Sequence, residues 1–308
     1  MSIASTINYV LLGQCCFTYW VLKNLVERNL VPKTVLIESA GIDSDPFADL
    51  DIEEIGWFSE HRIYHNKWLD LVKAICKDRS IDLIIDNNVI ESLPESDALV
   101  VAGYTKKVPS RCFDIFDGWA MNVHPSLLPM YRGPQPEAQM ILHDDFEYAG
   151  ITIHKLSDIW DSGQIYWQKR LKINANMTIW EMEILEAEAA SEGLNKLFSG
   201  YPYIRVQNIS STHNSSYYSW YSDSDLFISR DGILESDSDN LFRLRPEGYA
   251  FTRIGEKKFY PILGFSNNIQ LKLVDRISCG VLESHSSIKY IDKNDVTKLL
   301  RGNSHDCC

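Results

Sequence analysis

The chain has 308 residues, of which 45% are hydrophobic and 23% charged, as is ordinary for a globular protein. Its length accommodates a domain of about 200 residues and a second, smaller domain. The formal net charge of -12 disfavours a general nucleic-acid binder, because phosphate backbones select basic surfaces. No apolar run reaches the ~18–20 residues of a membrane helix, and the first residues lack a basic leader, so we expect a cytoplasmic protein with no membrane partner.

The seven cysteines are odd in number and include no Cys-x-x-Cys pair. This usage is typical of free thiols in a reducing compartment. We therefore expect neither a disulfide framework nor a zinc ribbon, and we predict no metal site.

Short apolar runs alternate with helical patterns through most of the chain. Strands are predicted at 7–12, 34–37, 81–85, 98–102, 120–123, 150–156 and 164–171. Helices are predicted at 17–28, 68–75, 89–93, 136–142 and 178–198, the last one opening with a capping box. This alternation predicts an α/β fold with a doubly wound, mostly parallel sheet.

The pattern changes after a small, polar stretch at 206–216, which predicts a linker. Short β-like runs follow at 249–253, 257–262, 269–274 and 279–282. They predict a small antiparallel sheet or open barrel. We therefore divide the chain into a larger domain (1–205), a linker (206–216) and a β-rich accessory domain (217–308).

Several polar or glycine positions follow predicted strands of the larger domain. Gly13, Gly103 and Asn122 lie at or just past the ends of three strands, and ligands of doubly wound sheets bind outside those ends. Asn122 and His124 are two residues apart and point to the same side of an extended chain. Asp161 reaches His124 if the strand before it neighbours the strand that carries His124.

An amide, an imidazole and a carboxylate in one crevice suit acyl transfer. Asn122 and a protonated His124 can donate to an oxygen that becomes negative in the transition state. Asp161 favours the charged imidazolium and can take the proton of an attacking amine. A purely structural histidine is the competing interpretation. Ser126 follows, but Gly-x-Ser-x-Gly is absent, so a turn or substrate-orienting hydroxyl is favoured over a nucleophile.

Four motifs follow one another in this part of the chain. They are Asn122-Val123-His124-Pro125-Ser126-Leu127-Leu128-Pro129, Tyr131-Arg132-Gly133, Gly150-Ile151-Thr152-Ile153-His154 and Asp161-Ser162-Gly163-Gln164-Ile165. In order and spacing they resemble the 10-formyltetrahydrofolate-dependent formyltransferases that act on glycinamide ribonucleotide, methionyl-tRNA and amino sugars. The resemblance is clear over about 97–200 and weak after 205.

The resemblance implies a role for each matching position. Asn122 would bind the formyl oxygen, His124 would stabilise the tetrahedral oxyanion, and Asp161 would tune His124 and assist proton removal. The implied co-substrate is 10-formyltetrahydrofolate, used without metal or covalent intermediate. Its implied binding residues are Tyr104, Lys106, Lys107, Val108, Ser157, Asp158 and Trp160. The implied acceptor-binding residues are Gly13, Gln14, Ser126, Arg132 and Gly133.

Departures from the family restrict the range of acceptors that we expect. The segment 38–56 is acidic, whereas methionyl-tRNA formyltransferases carry a basic loop there. The turn at 13–16 is poorer in glycine than the phosphate loop of glycinamide ribonucleotide formyltransferases. We therefore predict an N-formyltransferase for a small amine, such as an amino sugar, a nucleotide sugar or a specialised metabolite. The alternatives are a methionyl-tRNA formyltransferase, a 10-formyltetrahydrofolate hydrolase and a non-catalytic binding protein, and a homodimer stays open.

Overall fold

The computed structural model describes residues 7–39, 57–173, 177, 179–203 and 215–220, together with six strands nearer the C-terminus. Residues 40–56 of the acidic segment and 206–214 of the predicted linker lie outside the described residues. Within α2, the side chains before Trp68 are not described either.

The larger part of the chain is built on one seven-stranded sheet with the order β3-β2-β1-β4-β5-β6-β7. The strands are β1 (Tyr9–Gly13), β2 (Thr34–Glu38), β3 (Asp82–Asp86), β4 (Ala98–Ala102), β5 (Ala120–His124), β6 (Gly150–Lys155) and β7 (Ile165–Arg170). The first five are parallel, whereas β6 runs antiparallel to both β5 and β7. The predicted α/β fold with a mostly parallel sheet is confirmed.

Helices pack on this sheet. They are α1 (Cys16–Glu27), α2 (Trp57–Asp78), α3 (Ser110–Phe113), α4 (Pro136–His143) and α5 (Ile179–Phe198), with 3-10 turns at Val89–Ser92 and Asp114–Phe116. Helix α1 packs against α2 and α5, and α5 also contacts β6 and β7. The central strands β1, β2 and β4 are buried at every residue, as expected for apolar parallel strands inside a sheet covered by helices. None of the helices in the described residues combines the length and hydropathy needed to cross a bilayer.

The carboxyl ends of β1, β4 and β5 lie side by side, because these strands are neighbours in the sheet. The N–H of Gln14 donates to the carbonyl of Gly103 over 2.9 Å, which ties the first two ends together. His124 ends β5 at the same edge. The three strand ends therefore lie at one edge of the sheet, as the sequence predicts.

The described C-terminal strands are antiparallel. They are β8 (Thr252–Ile254), β9 (Lys257–Leu263), β10 (Ile269–Lys272), β11 (Asp275–Arg276), β12 (Leu282–Glu283) and β13 (Lys289–Tyr290). Four of them form a sheet in the order β13-β10-β9-β8, and β11 pairs with β12. The predicted β character of this region is confirmed, whereas the division at 205 and 217 stays a prediction.

Candidate active site

His124 is held at the end of β5 with its two ring nitrogens in different environments. Nε2 lies 2.8 Å from the carbonyl oxygen of Tyr131, and since a carbonyl only accepts, Nε2 carries the proton and donates. Nδ1 lies 3.7 Å from Oδ1 of Asp161. Burial lowers the pKa of His124, and this effect exceeds the opposing influence of the Asp161 charge. Above its lowered pKa, the imidazole therefore presents Nδ1 as a proton acceptor, rather than being the imidazolium expected from the sequence.

Asp161 is fixed by contacts from three directions. Its Oδ2 accepts a 2.9 Å hydrogen bond from the N–H of Gly133, and its Oδ1 accepts from the Asn122 amide over 3.4 Å. Burial alone would raise the pKa of Asp161, but the facing imidazoles of His124 and His154 and the Gly133 N–H hold that pKa well below its usual range. The carboxylate is thus ionised at neutral pH.

The antiparallel pairing of β5 and β6 brings these residues together. Asn122 is the cross-strand partner of His154, and His124 is that of Thr152. The loop after β6 then returns toward β5 and carries Asp161, at a left-handed φ of 50°. The neighbour relation predicted from the sequence is confirmed, and Asn122, His124 and Asp161 form one cluster, the transfer centre.

A cavity of about 160 Å³ opens onto the transfer centre, since Asn122, His124 and Asp161 all line it. Tyr104, Trp160 and Gly133 of the predicted site also line this cavity. A smaller cavity shares Asn122 and Asp161 with it. Other predicted donor-binding residues line that smaller cavity, namely Lys106, Lys107, Val108 and Ser157.

The segment 215–220 forms part of the wall of the larger cavity. The N–H of Arg132 donates to the Ser216 carbonyl over 3.0 Å, and the Arg132 carbonyl accepts from the Tyr218 N–H over 2.9 Å. Tyr218 stacks on the ring of Tyr131 at 5.0 Å between centroids. These contacts place Trp220 on the cavity wall, so residues that follow the predicted linker contribute to the site.

Residues 77–197 match the sequence model of the formyl transferase family. This stretch contains the transfer centre, both strands that build it and all of α5 except its last residue. Over this stretch, which is less than half of the chain, the protein is similar to the formyl transferase family.

Curated relatives match part of this chain. A methionyl-tRNA formyltransferase of Borrelia garinii subsp. bavariensis is 37% identical over 138 residues, which are 42% of this chain and 44% of that protein. One of Borrelia recurrentis is 38% identical over 117 residues, 37% of each protein. The chain thus spans less than half the length of these curated relatives.

Solved structures share the fold of this chain over a longer stretch. Methionyl-tRNA formyltransferase from Clostridium thermocellum aligns over 88% of this chain and 100% of its own, with a TM-score of 0.56 and 16% identity. An N-formyltransferase from Helicobacter canadensis, solved with folinic acid and dTDP-3-aminofucose, aligns over 90% of this chain and 97% of its own, with a TM-score of 0.50 and 18% identity. At these identities the likeness shows the fold alone.

The remaining predicted site residues have other contacts. Ser126 is buried, and its hydroxyl donates to the Met130 carbonyl over 2.8 Å, which stabilises the turn after β5. The side-chain oxygen of Gln14 accepts from the Thr105 hydroxyl over 2.7 Å. Among the predicted residues that line neither of the two cavities are Gly13, Gln14, Ser126, Arg132 and Asp158.

His154 and Glu38 were given no role in the sequence analysis. Nδ1 of His154 donates to the Lys155 carbonyl over 2.9 Å, which leaves Nε2 facing the Asn122 amide at 3.2 Å. Residues two apart in a strand point to the same face, so the argument that pairs Asn122 with His124 also pairs Thr152 with His154. Glu38, at the end of β2, is 1% exposed and accepts from Lys106 and from the Tyr104 hydroxyl. It anchors the segment expected to bind the donor.

An acidic wall is the third feature that the sequence analysis missed. We use this name for Glu137 of α4 and Glu183 of α5, which line the larger cavity, together with Glu186 behind them. Burial raises the pKa of Glu137 to about 7. Burial, and then the neighbouring charge of Glu137, raise the pKa of Glu186 well above its usual value. No local sequence pattern identifies these residues, because α4 and α5 are distant in sequence and come into contact only in the tertiary structure.

Replacing Gly133 with alanine is expected to destabilise the domain by ~2–4 kcal/mol. Gly133 has a φ of +119°, and an added Cβ would lie 1.9 Å from the Tyr218 carbonyl oxygen. The matched control is Gly118→Ala, because Gly118 also has a positive φ of +88° but its nearest atom would be 3.6 Å away. That control is expected to lose only about 1–2 kcal/mol. Urea unfolding of both variants measures the difference. Equal losses of stability would contradict the close contact between Gly133 and segment 215–220.

Replacing Glu137 with glutamine is expected to increase the free energy of unfolding by ~1–3 kcal/mol above pH 7. The folded pKa of about 7 exceeds the ordinary 4.5, so stability falls in the wild-type chain as pH rises from 4.5 through 7. Glutamine does not titrate, and the gain should therefore shrink toward pH 4.5. Denaturant unfolding across this range tests it, with the exposed Glu188→Gln as control. If the free energies of unfolding of Glu137→Gln and the wild type differed by the same amount at all pH values, the raised pKa of Glu137 would be contradicted.

Proposed function

We propose that this chain is an N-formyltransferase that moves a formyl group from 10-formyltetrahydrofolate to the amine of a small molecule. The observation that supports it most is the convergence of Asn122, His124 and Asp161 on one cavity. A donor amide, a neutral imidazole and an ionised carboxylate are the groups that such a transfer needs. The family match over 77–197 supports the same reaction class.

The transfer follows from the contacts of these side chains. The amine nitrogen attacks the formyl carbon, and Nδ1 of His124 takes the amine proton. The resulting imidazolium is stabilised by Asp161, 3.7 Å away, and together with the Asn122 amide faces the oxygen that becomes negative. Collapse breaks the bond between the formyl carbon and N10, and the imidazolium returns its proton to that nitrogen. The products are a formamide and tetrahydrofolate.

The smaller cavity suits the folate donor. Its wall combines apolar Val108 and Leu156 with polar Ser157 and the basic Lys106 and Lys107. A planar ring system with an acidic tail matches this mixture of apolar and cationic contacts. The folinic acid in the Helicobacter canadensis N-formyltransferase supports a folate as the donor. The proposed transfer uses no metal.

The acceptor is proposed to be a small molecule, because the cavity at the transfer centre has a volume of about 160 Å³ and is lined by apolar and acidic residues. The dTDP-3-aminofucose in the same neighbour supports an amino sugar or nucleotide sugar. The curated methionyl-tRNA formyltransferases support charged tRNA as the alternative. We further propose a catalytic unit over 1–205 and a cytoplasmic location, where thiols such as those of Cys76 and Cys112 stay reduced.

The test is to incubate the full chain with 10-formyltetrahydrofolate and a panel of amino sugars, nucleotide sugars, amines and methionyl-tRNA. A mass gain of one formyl group on a small amine supports the proposal. Formylation of the tRNA alone identifies the alternative acceptor. Rapid tetrahydrofolate release without any acceptor indicates a hydrolase, and donor binding without turnover across the panel contradicts an enzyme.

A further inference from the structure

The segment after β4 reaches past a neighbouring strand to the end of β2. We call residues 103–108 the donor segment, and since β1 lies between β2 and β4 in the sheet, this segment passes the end of β1. There the carbonyl of Gly103 accepts from the Gln14 N–H over 2.9 Å, and the Thr105 hydroxyl donates to the Gln14 side chain over 2.7 Å. Four residues of the donor segment line the smaller cavity, namely Tyr104, Lys106, Lys107 and Val108. The course of the segment therefore shapes that cavity.

Glu38, at the end of β2, holds the donor segment by two hydrogen bonds. Its side chain is 1% exposed. Its Oε1 accepts from Nζ of Lys106 over 2.5 Å, and its Oε2 accepts from the Tyr104 hydroxyl over 3.1 Å. Bonds to both oxygens of one planar group fix its orientation as well as the distance to each donor. Because a buried carboxylate without partners is costly, these contacts are expected to persist.

Glu38 can influence a ligand only through its partners. It lines neither the larger nor the smaller cavity, whereas Tyr104 lines both. Asn122 and Asp161 of the transfer centre are also shared by the two cavities. Tyr104 therefore lies where the proposed donor site meets the transfer centre, and its position depends on the bond to Glu38.

The two neighbouring lysines of the donor segment have different partners. Nζ of Lys106 forms an ion pair with Glu38, whereas no ion pair or side-chain hydrogen bond joins Lys107 to another residue in the part of the chain that the structure describes. Lys107 is also exposed. A lysine that already pairs with a buried carboxylate is less available to an anionic ligand. The acidic tail of a folate is thus expected to contact Lys107 rather than Lys106.

We propose that Glu38 is a positioning residue for the donor, which acts through Tyr104 and Lys106. It sets the course of the donor segment and thereby the affinity for the donor, without contact to the reacting atoms. Lys106 is its partner in this role, and the acidic tail is left to Lys107. This inference rests on the proposed function, because it requires a folate in the smaller cavity.

The test is calorimetric titration of the full chain with folinic acid in the absence of any acceptor. In Glu38→Gln, which keeps the size of the side chain but removes its charge, the affinity is expected to fall by about tenfold. Lys106→Met should cause a similar loss. The double variant should lose little more than either single variant, because both substitutions remove the same contact. The matched control is Glu27→Gln, which breaks an exposed 2.7 Å ion pair with Lys23 and should bind like the wild type.

Kinetics distinguish positioning from a general structural role. With an acceptor that is formylated, Glu38→Gln and Lys106→Met should raise KM for the donor by about tenfold and change kcat by less than about threefold, because the transfer centre is intact. A folding defect would instead reduce the active fraction, so that the apparent kcat falls while KM is unchanged. Cooperative thermal unfolding of each variant verifies that it is folded.

The outcomes also separate this inference from the proposed function. If Lys106 bound the acidic tail itself, Lys106→Met would weaken binding, whereas Glu38→Gln would release the lysine and leave binding unchanged or tighter. That pattern overturns the positioning role, as does a fall in kcat without a change in KM. Wild-type binding of folinic acid that neither substitution alters overturns the positioning role alone. Failure of the wild type to bind folinic acid contradicts the proposed donor and overturns the positioning role with it.

Discussion

Replacing Asn122 with alanine is expected to lower kcat for formyl transfer by about 10²–10³-fold, with little change in KM for the donor. The Asn122 side chain lines both cavities, and its amide lies 3.2 Å from His154 and 3.4 Å from Asp161. It is therefore placed where the formyl oxygen becomes negative, and its loss is felt mainly in the transition state. Steady-state kinetics that follow tetrahydrofolate release provide the measurement.

Asn195→Ala is the matched control for Asn122, because Asn195 is an exposed asparagine on α5. It should keep wild-type kcat. Donor binding to Asn122→Ala, followed by fluorescence quenching, should remain close to that of the wild type. A variant that binds donor and transfers formyl at the wild-type rate would rule out Asn122 as an oxyanion donor.

Replacing Asp161 with asparagine is expected to reduce kcat by about 10²–10⁴-fold. Asparagine keeps the size of the side chain and an oxygen for the Gly133 N–H, but it removes the charge that stabilises the His124 imidazolium. That charge also raises the pKa of His124, so its loss should lower the His124 pKa further. The acid limb of the pH profile for kcat/KM is therefore expected to move to lower pH.

The pH profile distinguishes a charge effect from a folding defect. Asp114→Asn, a change at an exposed carboxylate, should leave both the rate and the acid limb in place. Unfolding of Asp161→Asn should remain cooperative. If the rate falls while the acid limb keeps its wild-type position, Asp161 does not act on His124, and a structural role for the carboxylate replaces the proposed one.

The local elements of the domain could be predicted from the sequence. Apart from α2 and from α3, which was not predicted, the strands and helices of the larger sheet lie within a few residues of the predicted ranges, because short buried apolar runs and Pro136 at the first turn of α4 act locally. The length of α2 was underestimated: its described bounds are Trp57–Asp78, whereas the apolar pattern covers only 68–75. Helix α2 packs against α1.

The candidate site could be predicted only in part. The spacing of Asn122 and His124 and the order of the motifs pointed to the transfer centre, and the antiparallel β5–β6 pair brings Asp161 to it. Four of the five predicted acceptor residues do not line the larger cavity. Ser126 is hydrogen-bonded within the turn after β5, and the backbones of Gln14 and Arg132 are hydrogen-bonded to neighbouring backbone groups. The side chains of Ser126 and Gln14 have local partners that no sequence pattern reveals.

By itself, the sequence determined the alternation of strands and helices, the negative charge and the polar cluster at the end of one strand. Those properties depend on residues close in the chain. Only the tertiary structure decided that His154 lies beside Asn122, that Glu137 and Glu183 meet across two helices, and that segment 215–220 brings Trp220 to the same cavity. The physical reason is that pairing and packing join residues distant in sequence, and burial then changes the protonation of the groups that they enclose.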